Sequence, residues 1–222
     1  MNRLVNEFIG TFFLVFTICV AAVYGNAGDA APLAIGLVLT AVVYAGGHIS
    51  KAHYNPAVSL AFYIRGCYIS IQEMVSFIAV QVLGAVLATL LAKGFFADGK
   101  TVEAVSIAFG PALIAEILFT FALVWVIMNV ATAKANAGNQ FYGIAIGSSV
   151  AGAIYTVGIV SLAVLNPAVS VALVLVGKLA LSQIWIPLAG SLVGAVGAVL
   201  VFNAGHPTEE CSEDDESGCS PI

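Results

Sequence analysis

Asn55-Pro56-Ala57 and Asn166-Pro167-Ala168 are one tripeptide that occurs once in each half of the chain. Each copy ends a hydrophobic stretch and precedes a short apolar run, at 58–62 and at 169–173. Proline lacks an N–H and has a φ suited to the first helical turn, so each tripeptide predicts a helix that begins with asparagine as its N-cap. The apolar runs that follow are about half as long as a membrane span. The sequence therefore predicts two half-helices.

The composition is that of a membrane protein. The 222 residues are 61% hydrophobic and 9% charged, with a mean hydropathy of +1.05, and a soluble domain of this composition would expose too much apolar surface. Six apolar stretches are long enough to cross a bilayer, at 4–24, 33–50, 73–93, 107–131, 141–160 and 183–204. We predict an all-α membrane protein with six transmembrane helices and two re-entrant half-helices.

The two halves of the chain are related by an internal repeat. Corresponding landmarks lie 109 to 111 residues apart: Glu7 and Glu116, Gly36 and Gly147, Asn55 and Asn166, Gly84 and Gly194. A near-constant offset over several landmarks indicates duplication. Because each copy holds three full spans, an odd number, the second copy enters the membrane from the opposite side. We predict inverted repeats over about 1–100 and 107–204, within one membrane domain at 1–204.

Charge is distributed unevenly along the chain. Half of the twelve acidic residues lie in the last fourteen positions: Glu209, Glu210, Glu213, Asp214, Asp215 and Glu216. The segment 205–222 is polar and has no apolar period, which predicts a disordered acidic tail. In the predicted topology, four basic residues share the side of the termini and three lie opposite: Arg3, Lys51, Arg65 and Lys134 against Lys93, Lys100 and Lys178. This slight positive-inside bias predicts that both termini and the tail are cytoplasmic.

The cysteines do not form a disulfide framework. Cys19 lies in the first span, Cys67 follows the first half-helix, and Cys211 and Cys219 lie in the tail. Two tail thiolates without further ligands make an incomplete site for a soft metal, so we predict no metal and no cofactor. The sequence also contains no nucleophile elbow, no phosphate loop and no cluster of metal ligands. It indicates neither an enzyme nor a nucleic-acid-binding protein.

The two predicted N-caps place positive charge at the centre of the membrane. The oxygen of an N-cap asparagine accepts a backbone N–H, which leaves its amide group to donate into the space in front. The positive end of each helix dipole points the same way. Half-helices that meet near the midplane would therefore repel cations, including hydronium. A water held by both amides could not accept a proton from its neighbour, so the arrangement favours a neutral solute.

The chain resembles the aquaporin and glycerol-facilitator family, the major intrinsic proteins, over about residues 3–204. The resemblance rests on the paired Asn-Pro-Ala tripeptides, on the segments 47–50 and 53–58, and on the two Glu-x-x-x-Thr segments. It implies a right-handed helix bundle with one pore per subunit, a homotetramer, and passive flow of water or small uncharged solutes without a cofactor. It also implies that Glu7 and Glu116 hydrogen-bond to the re-entrant loops and that His48 and His53 position the first loop.

This chain departs from the family pattern at the selectivity filter. Most members have arginine directly after the second tripeptide, where this chain has Val169. The resemblance implies that the other filter positions, carried over by spacing from the asparagines and from Gly36 and Gly147, are Ile35, Ile154 and Ala163. Water-selective members of the family usually have an aromatic side chain and a histidine at the two helix positions. A shift of one residue would replace Ile154 by Tyr155 and restore an aromatic side chain. The predicted quartet is entirely apolar.

The apolar filter has two competing consequences. The missing arginine removes a positive charge and a hydrogen-bond donor, and the missing aromatic side chain widens the opening. A wider opening admits larger neutral solutes such as glycerol, urea or undissociated metalloid acids. An apolar constriction can also dewet and slow water.

Two other classes of protein are compatible with these sequence features. A secondary transporter also has inverted repeats and broken helices, but it normally requires an ion-coupling site. A non-conducting scaffold could use the acidic tail as its partner site. In the absence of a targeting segment beyond the spans, we expect the plasma or inner membrane.

Overall fold

The computed structural model describes residues 2–66 and 68–206. Cys67, Cys211, Cys219 and nearly all of the predicted acidic tail lie outside the described residues.

The described residues form eight α-helices joined by short loops. They are α1 (Arg3–Thr17), α2 (Ala31–Ser50), α3 (Pro56–Arg65), α4 (Ile71–Phe95), α5 (Phe109–Ala131), α6 (Tyr142–Ser161), α7 (Pro167–Val176) and α8 (Trp185–Gly205). A π-helical segment, Ile18–Val23, extends α1, and short 3-10 segments precede α2 and α8.

Six helical segments are long and apolar enough to cross a membrane: Arg3–Val23, Gly28–Ser50, Ile71–Phe95, Phe109–Ala131, Tyr142–Ser161 and Leu181–Gly205. They match the six predicted spans to within a few residues. α3 and α7 are ten residues each, which is about half of a span. The prediction of six transmembrane helices and two half-helices is confirmed.

The helices pack as two related sets of four. α1 contacts α4 and α2 in the first half, and α5 contacts α8 and α6 in the second. The halves are joined where α2 packs on α6. Each half-helix also packs on the last long helix of the other half, α3 on α8 and α7 on α4. The short helices are therefore held at the interface between the repeats.

Glycines allow the long helices to approach closely. A Cβ atom added at Gly36 would lie 2.7 Å from the carbonyl oxygen of Gly147, at the crossing of α2 and α6. One added at Gly84 would lie 2.7 Å from the carbonyl oxygen of Phe8, at the crossing of α4 and α1. Small residues that permit backbone contact are typical of helix pairs in membranes.

The outer surface of the bundle is largely apolar. Large hydrophobic side chains on the long helices are half exposed or more, among them Leu33, Leu83, Ile114, Leu118, Ile144 and Leu200. A soluble protein rarely exposes so continuous an apolar surface. Lipid is the solvent that suits this exterior.

Candidate functional site

α3 and α7 begin in the same way. Asn55 and Asn166 have extended backbone, with φ of −157° and −153°. The side-chain oxygen of Asn55 accepts the N–H of Ala57 at 2.8 Å, and that of Asn166 accepts the N–H of Ala168 at 2.9 Å. Both asparagines are therefore N-caps, as the tripeptides predicted. The prolines and alanines of the tripeptides are buried in the first turns: Pro56, Ala57, Pro167 and Ala168.

The two asparagine amides cross between the halves of the molecule. Asn55 Nδ2 donates to the carbonyl oxygen of Leu165 at 2.9 Å, and Asn166 Nδ2 donates to that of Tyr54 at 3.0 Å. The sequence predicted amide groups wholly available to the space in front of the helices. In the structure each amide donates one N–H to the opposite loop, which leaves one N–H for another acceptor.

The backbone before each tripeptide is strained in the same pattern. Non-glycine residues with left-handed φ occur at equivalent positions, 68°, 52° and 50° in the first loop and 70°, 45° and 52° in the second: Lys51, Ala52, Tyr54, Leu162, Ala163 and Leu165. Each such residue costs about 1–3 kcal/mol and persists only where its surroundings hold it. Buried glutamates are the main polar partners of these loops.

Glu116 binds the second loop with both carboxylate oxygens. Oε1 accepts the N–H of Val164 at 2.8 Å and the hydroxyl of Ser161 at 2.7 Å, and Oε2 accepts the N–H of Leu165 at 2.7 Å. The side chain is fully buried on α5. Unwound backbone at membrane depth needs such partners because no water is present to satisfy it.

Glu7 makes the equivalent contacts to the first loop. Its oxygens accept the N–H groups of His53 at 2.9 Å and Tyr54 at 2.7 Å, together with the hydroxyl of Ser50. Gln81 on α4 adds a further donor, with Nε2 at 2.8 Å from Oε2. The position that corresponds to Gln81 in the second half is Ser191, which bonds to the backbone of its own helix instead.

The two histidines named from the sequence lie in different surroundings. His53 is buried in the first loop, where Nδ1 lies 3.1 Å from Ser59 Oγ and the ring stacks on Phe62 at 4.2 Å. Its Nε2 has no partner among the described residues. His48 is exposed on α2 and lies outside the cavity described next.

A cavity of about 140 Å³ lies between the half-helices and the surrounding long helices. Asn55, Asn166 and His53 contribute polar groups to its lining, which is otherwise mostly aliphatic. The four predicted filter residues all line it: Ile35, Ile154, Ala163 and Val169. The alternative register at α6 does not reach the cavity, since Tyr155 is exposed and its hydroxyl donates to the carbonyl of Asp29. The volume is sufficient for several water molecules.

Several residues of the site were missed from the sequence. Ser50 and Ser161 contact the glutamates but are common residues in apolar segments. They are 111 residues apart, so a full comparison of the two repeats would have found them. Gln81 and Lys178 have no counterpart of the same type in the other half, and so the repeat carried no signal for either.

Comparison with known proteins agrees with this geometry. The model of the family described as major intrinsic protein matches residues 1–202. The chain belongs to that family. This major intrinsic protein is 36% identical to nodulin-26 of Glycine max over 220 residues, which cover 95% of this chain and 80% of that protein. It is 34% identical to aquaporin NIP1-1 of Zea mays over 213 residues, which cover 91% and 74%.

The fold of this major intrinsic protein is also found in a solved structure. It is similar to the X-ray structure of the aquaglyceroporin from Plasmodium falciparum, with a TM-score of 0.78 at 23% identity, over 93% of this chain and 97% of that chain. The family and the six apolar helices make the chain a multi-pass membrane protein. It is a channel for water and small solutes.

Proposed function

We propose that the cavity between α3 and α7 is the conduction path, and that it passes water and larger neutral solutes by passive flow. The observation that carries this proposal is the lining itself, in which two asparagine amides lie at the centre and an apolar quartet lies on the side of α7. The chain then acts by conduction and not by catalysis.

The central asparagines support exclusion of protons and cations. Each half-helix directs its N-terminus, the positive end of its dipole, at the cavity, and each amide retains one N–H for a passing molecule. A water that accepts two such bonds has no lone pair left for a proton from its neighbour. The barrier is therefore electrostatic and needs no moving part.

The apolar quartet supports a filter that excludes solutes less strictly by size and by hydrogen bonding. Val169 occupies the position after the second tripeptide and is branched and uncharged, and Ile35, Ile154 and Ala163 add no donor. Hydrated ions lose their water there without compensation, whereas a neutral molecule loses less. We propose that molecules of the size of glycerol, urea or undissociated metalloid acids pass this constriction.

The buried carboxylates support a passive mechanism over ion-coupled transport. Glu7 and Glu116 are both engaged by loop backbone and lie outside the cavity lining. A coupling site would require an acid that faces the solute. Neither glutamate is in that position.

The assembly and location are part of the same proposal. We propose a homotetramer in the plasma or inner membrane, with both termini in the cytoplasm. Four of the seven lysines and arginines lie toward the face of the described chain ends, which supports this orientation. Cross-linking of the purified protein in lipid would test the subunit number.

Stopped-flow light scattering of liposomes tests the conduction path. Under an impermeant osmolyte the wild type is expected to shrink fast, and under a glycerol gradient it is expected to recover its volume fast. Val169→Arg is expected to slow glycerol influx by about tenfold or more, because it restores a charged donor and narrows the opening.

Val169→Leu is the matched control, because it changes size without adding charge. Glycerol influx that is equal in the wild type and in Val169→Arg would overturn the assignment of the filter.

A further inference from the structure

One end of the cavity, beyond α7, is lined by a lysine, Lys178, that the proposed filter does not include. We define the α7 mouth as this end of the lining: Val23, Leu162 and Lys178. These residues come from the end of the π-helical segment, the C-cap of α6 and the loop after α7. Lys178 is the single lysine or arginine in the lining as far as the described residues extend, and no aspartate or glutamate lines it there.

The backbone of Lys178 is held in place on two sides. Gly177 ends α7 with φ of +88°, a left-handed conformation that glycine adopts without strain. The N–H of Lys178 then donates to the carbonyl oxygen of Leu173 at 2.8 Å, and its own carbonyl accepts the N–H of Val105 at 2.9 Å. The lysine is therefore anchored at the mouth, and its motion is limited to the four-carbon side chain.

The ammonium group of Lys178 has no partner among residues 2–66 and 68–206. It makes no hydrogen bond and no ion pair with any residue that the structure describes, and the side chain is half-buried against the lining. Lys100, on the same face, contrasts with it, because its ammonium donates to the carbonyl of Tyr24 and to Asn26. An ammonium has three donors and a full charge, and its field is stronger near a low-dielectric wall than in open water.

We propose that Lys178 is a specificity-determining residue of the channel, which supplies at the α7 mouth the positive charge that Val169 does not supply inside the filter. The charge repels cations before they reach the apolar quartet, and the N–H groups of the ammonium donate to the hydroxyl or carbonyl oxygens of neutral solutes. Positions 169 and 178 differ in one respect. An arginine at 169 would narrow the filter, whereas a lysine on the loop after α7 leaves the filter wide. The channel thereby combines a wide filter with a cationic mouth.

This inference rests on the proposed conduction path, and the test separates the two. A cysteine is introduced as Val23→Cys, at the α7 mouth and only partly buried, in the full chain with its native cysteines replaced by alanine. Its reaction rates with an anionic sulfonatoethyl and a cationic trimethylammonioethyl methanethiosulfonate are followed by mass spectrometry in detergent. The ratio of the anionic to the cationic rate reports the local potential.

Lys178→Gln is expected to lower this ratio by an order of magnitude, roughly the effect of one nearby unit charge. Lys178→Arg is expected to keep the ratio. Lys93→Gln, which removes the same charge from an exposed position on the same face outside the lining, is the matched control. Lys178→Met serves as a second neutral variant if Lys178→Gln does not yield monodisperse protein.

An unchanged ratio in the neutral variants overturns the proposal, as does an equal fall in Lys93→Gln or a fall in Lys178→Arg. A purely structural role of Lys178 at the end of α7 would alter yield without altering the ratio. The same proteins are assayed for water and glycerol flux in liposomes. A wild type that conducts neither would refute the conduction path, whatever the ratio.

Discussion

At the scale of single residues, the two buried glutamates do most to explain why the unwound loops persist. Glu116 satisfies two backbone N–H groups and one hydroxyl, and the loop it binds holds three left-handed residues. A glutamine keeps the shape of the side chain but replaces one acceptor oxygen by a donor. One backbone N–H would then face another N–H.

Glu116→Gln is therefore expected to lower the free energy of unfolding by about 2–3 kcal/mol, because a buried donor loses its partner. Thermal denaturation in detergent measures this as a lower Tm. Glu73→Gln is the control, since its partial exposure and its ion pair with Arg3 make its contribution small. The same Tm for both variants would show that Glu116 does not support the loop.

Asn166→Asp tests the central barrier at the same scale. The aspartate keeps the N-cap acceptor but loses the donor to Tyr54 and adds negative charge at the cavity centre. We expect proton flux into liposomes, followed with an internal pH dye, to rise by at least about tenfold, since the electrostatic barrier weakens. Asn129→Asp, on α5 outside the lining, is expected to leave proton flux unchanged. An Asn166→Asp channel that remained impermeable to protons would place the proton barrier elsewhere in the channel.

At the scale of helices, the crossing of α2 and α6 depends on two glycines that face each other. The repeat offset marked Gly36 and Gly147 from the sequence, although it did not indicate that they contact one another. A side chain at either position meets backbone, and backbone cannot move aside as a flexible side chain can. The crossing therefore sets the distance between the two halves.

Gly147→Ala is expected to destabilise the bundle by about 1–3 kcal/mol through overpacking. Gly152→Ala on the same helix is the control, because a Cβ atom there meets nothing within 4 Å. Alanine favours helix over glycine by about 1 kcal/mol, so this control is expected to be neutral or stabilising. Tm values in detergent compare the two, and equal shifts would refute the packing argument.

At the scale of the whole molecule, much of the fold follows from the sequence because the signals are long or duplicated. Six apolar stretches predict six spans, and the offset between Asn55 and Asn166 predicts two half-helices in related positions. Contacts between the repeats are harder to predict. The bonds from each asparagine to the opposite loop join backbone carbonyls that belong to Leu165 and Tyr54, and carbonyls carry no residue-type signal.

Residues without a counterpart in the other repeat were equally hard to predict. Lys178 lies twelve residues beyond Asn166, and only the fold of the loop after α7 brings it to the cavity. The four predicted filter residues all line the cavity, and their positions were carried over from the family resemblance by spacing from the asparagines and from Gly36 and Gly147. Ile154 was the hardest to place, since one residue of register on α6 decides between an aliphatic lining and an exposed tyrosine.

Deletion of residues 207–222 tests whether conduction resides in the helix bundle. Every described residue that lines the cavity lies between positions 14 and 178, so we expect the water and glycerol rates per protein to stay within about twofold of wild type. The liposome assay used for Val169→Arg measures this, with the full-length chain as control. Loss of both fluxes would assign the tail a part in the channel.

The exchanged bonds between Asn55 and Leu165 and between Asn166 and Tyr54 also set an order for biogenesis. A ribosome delivers the first tripeptide to the membrane more than one hundred residues before its carbonyl partner exists. Until then the first asparagine must be satisfied by water or by the insertion machinery. The nascent first half therefore lacks the protein partner of Asn55 at membrane depth until Leu165 arrives with the second half.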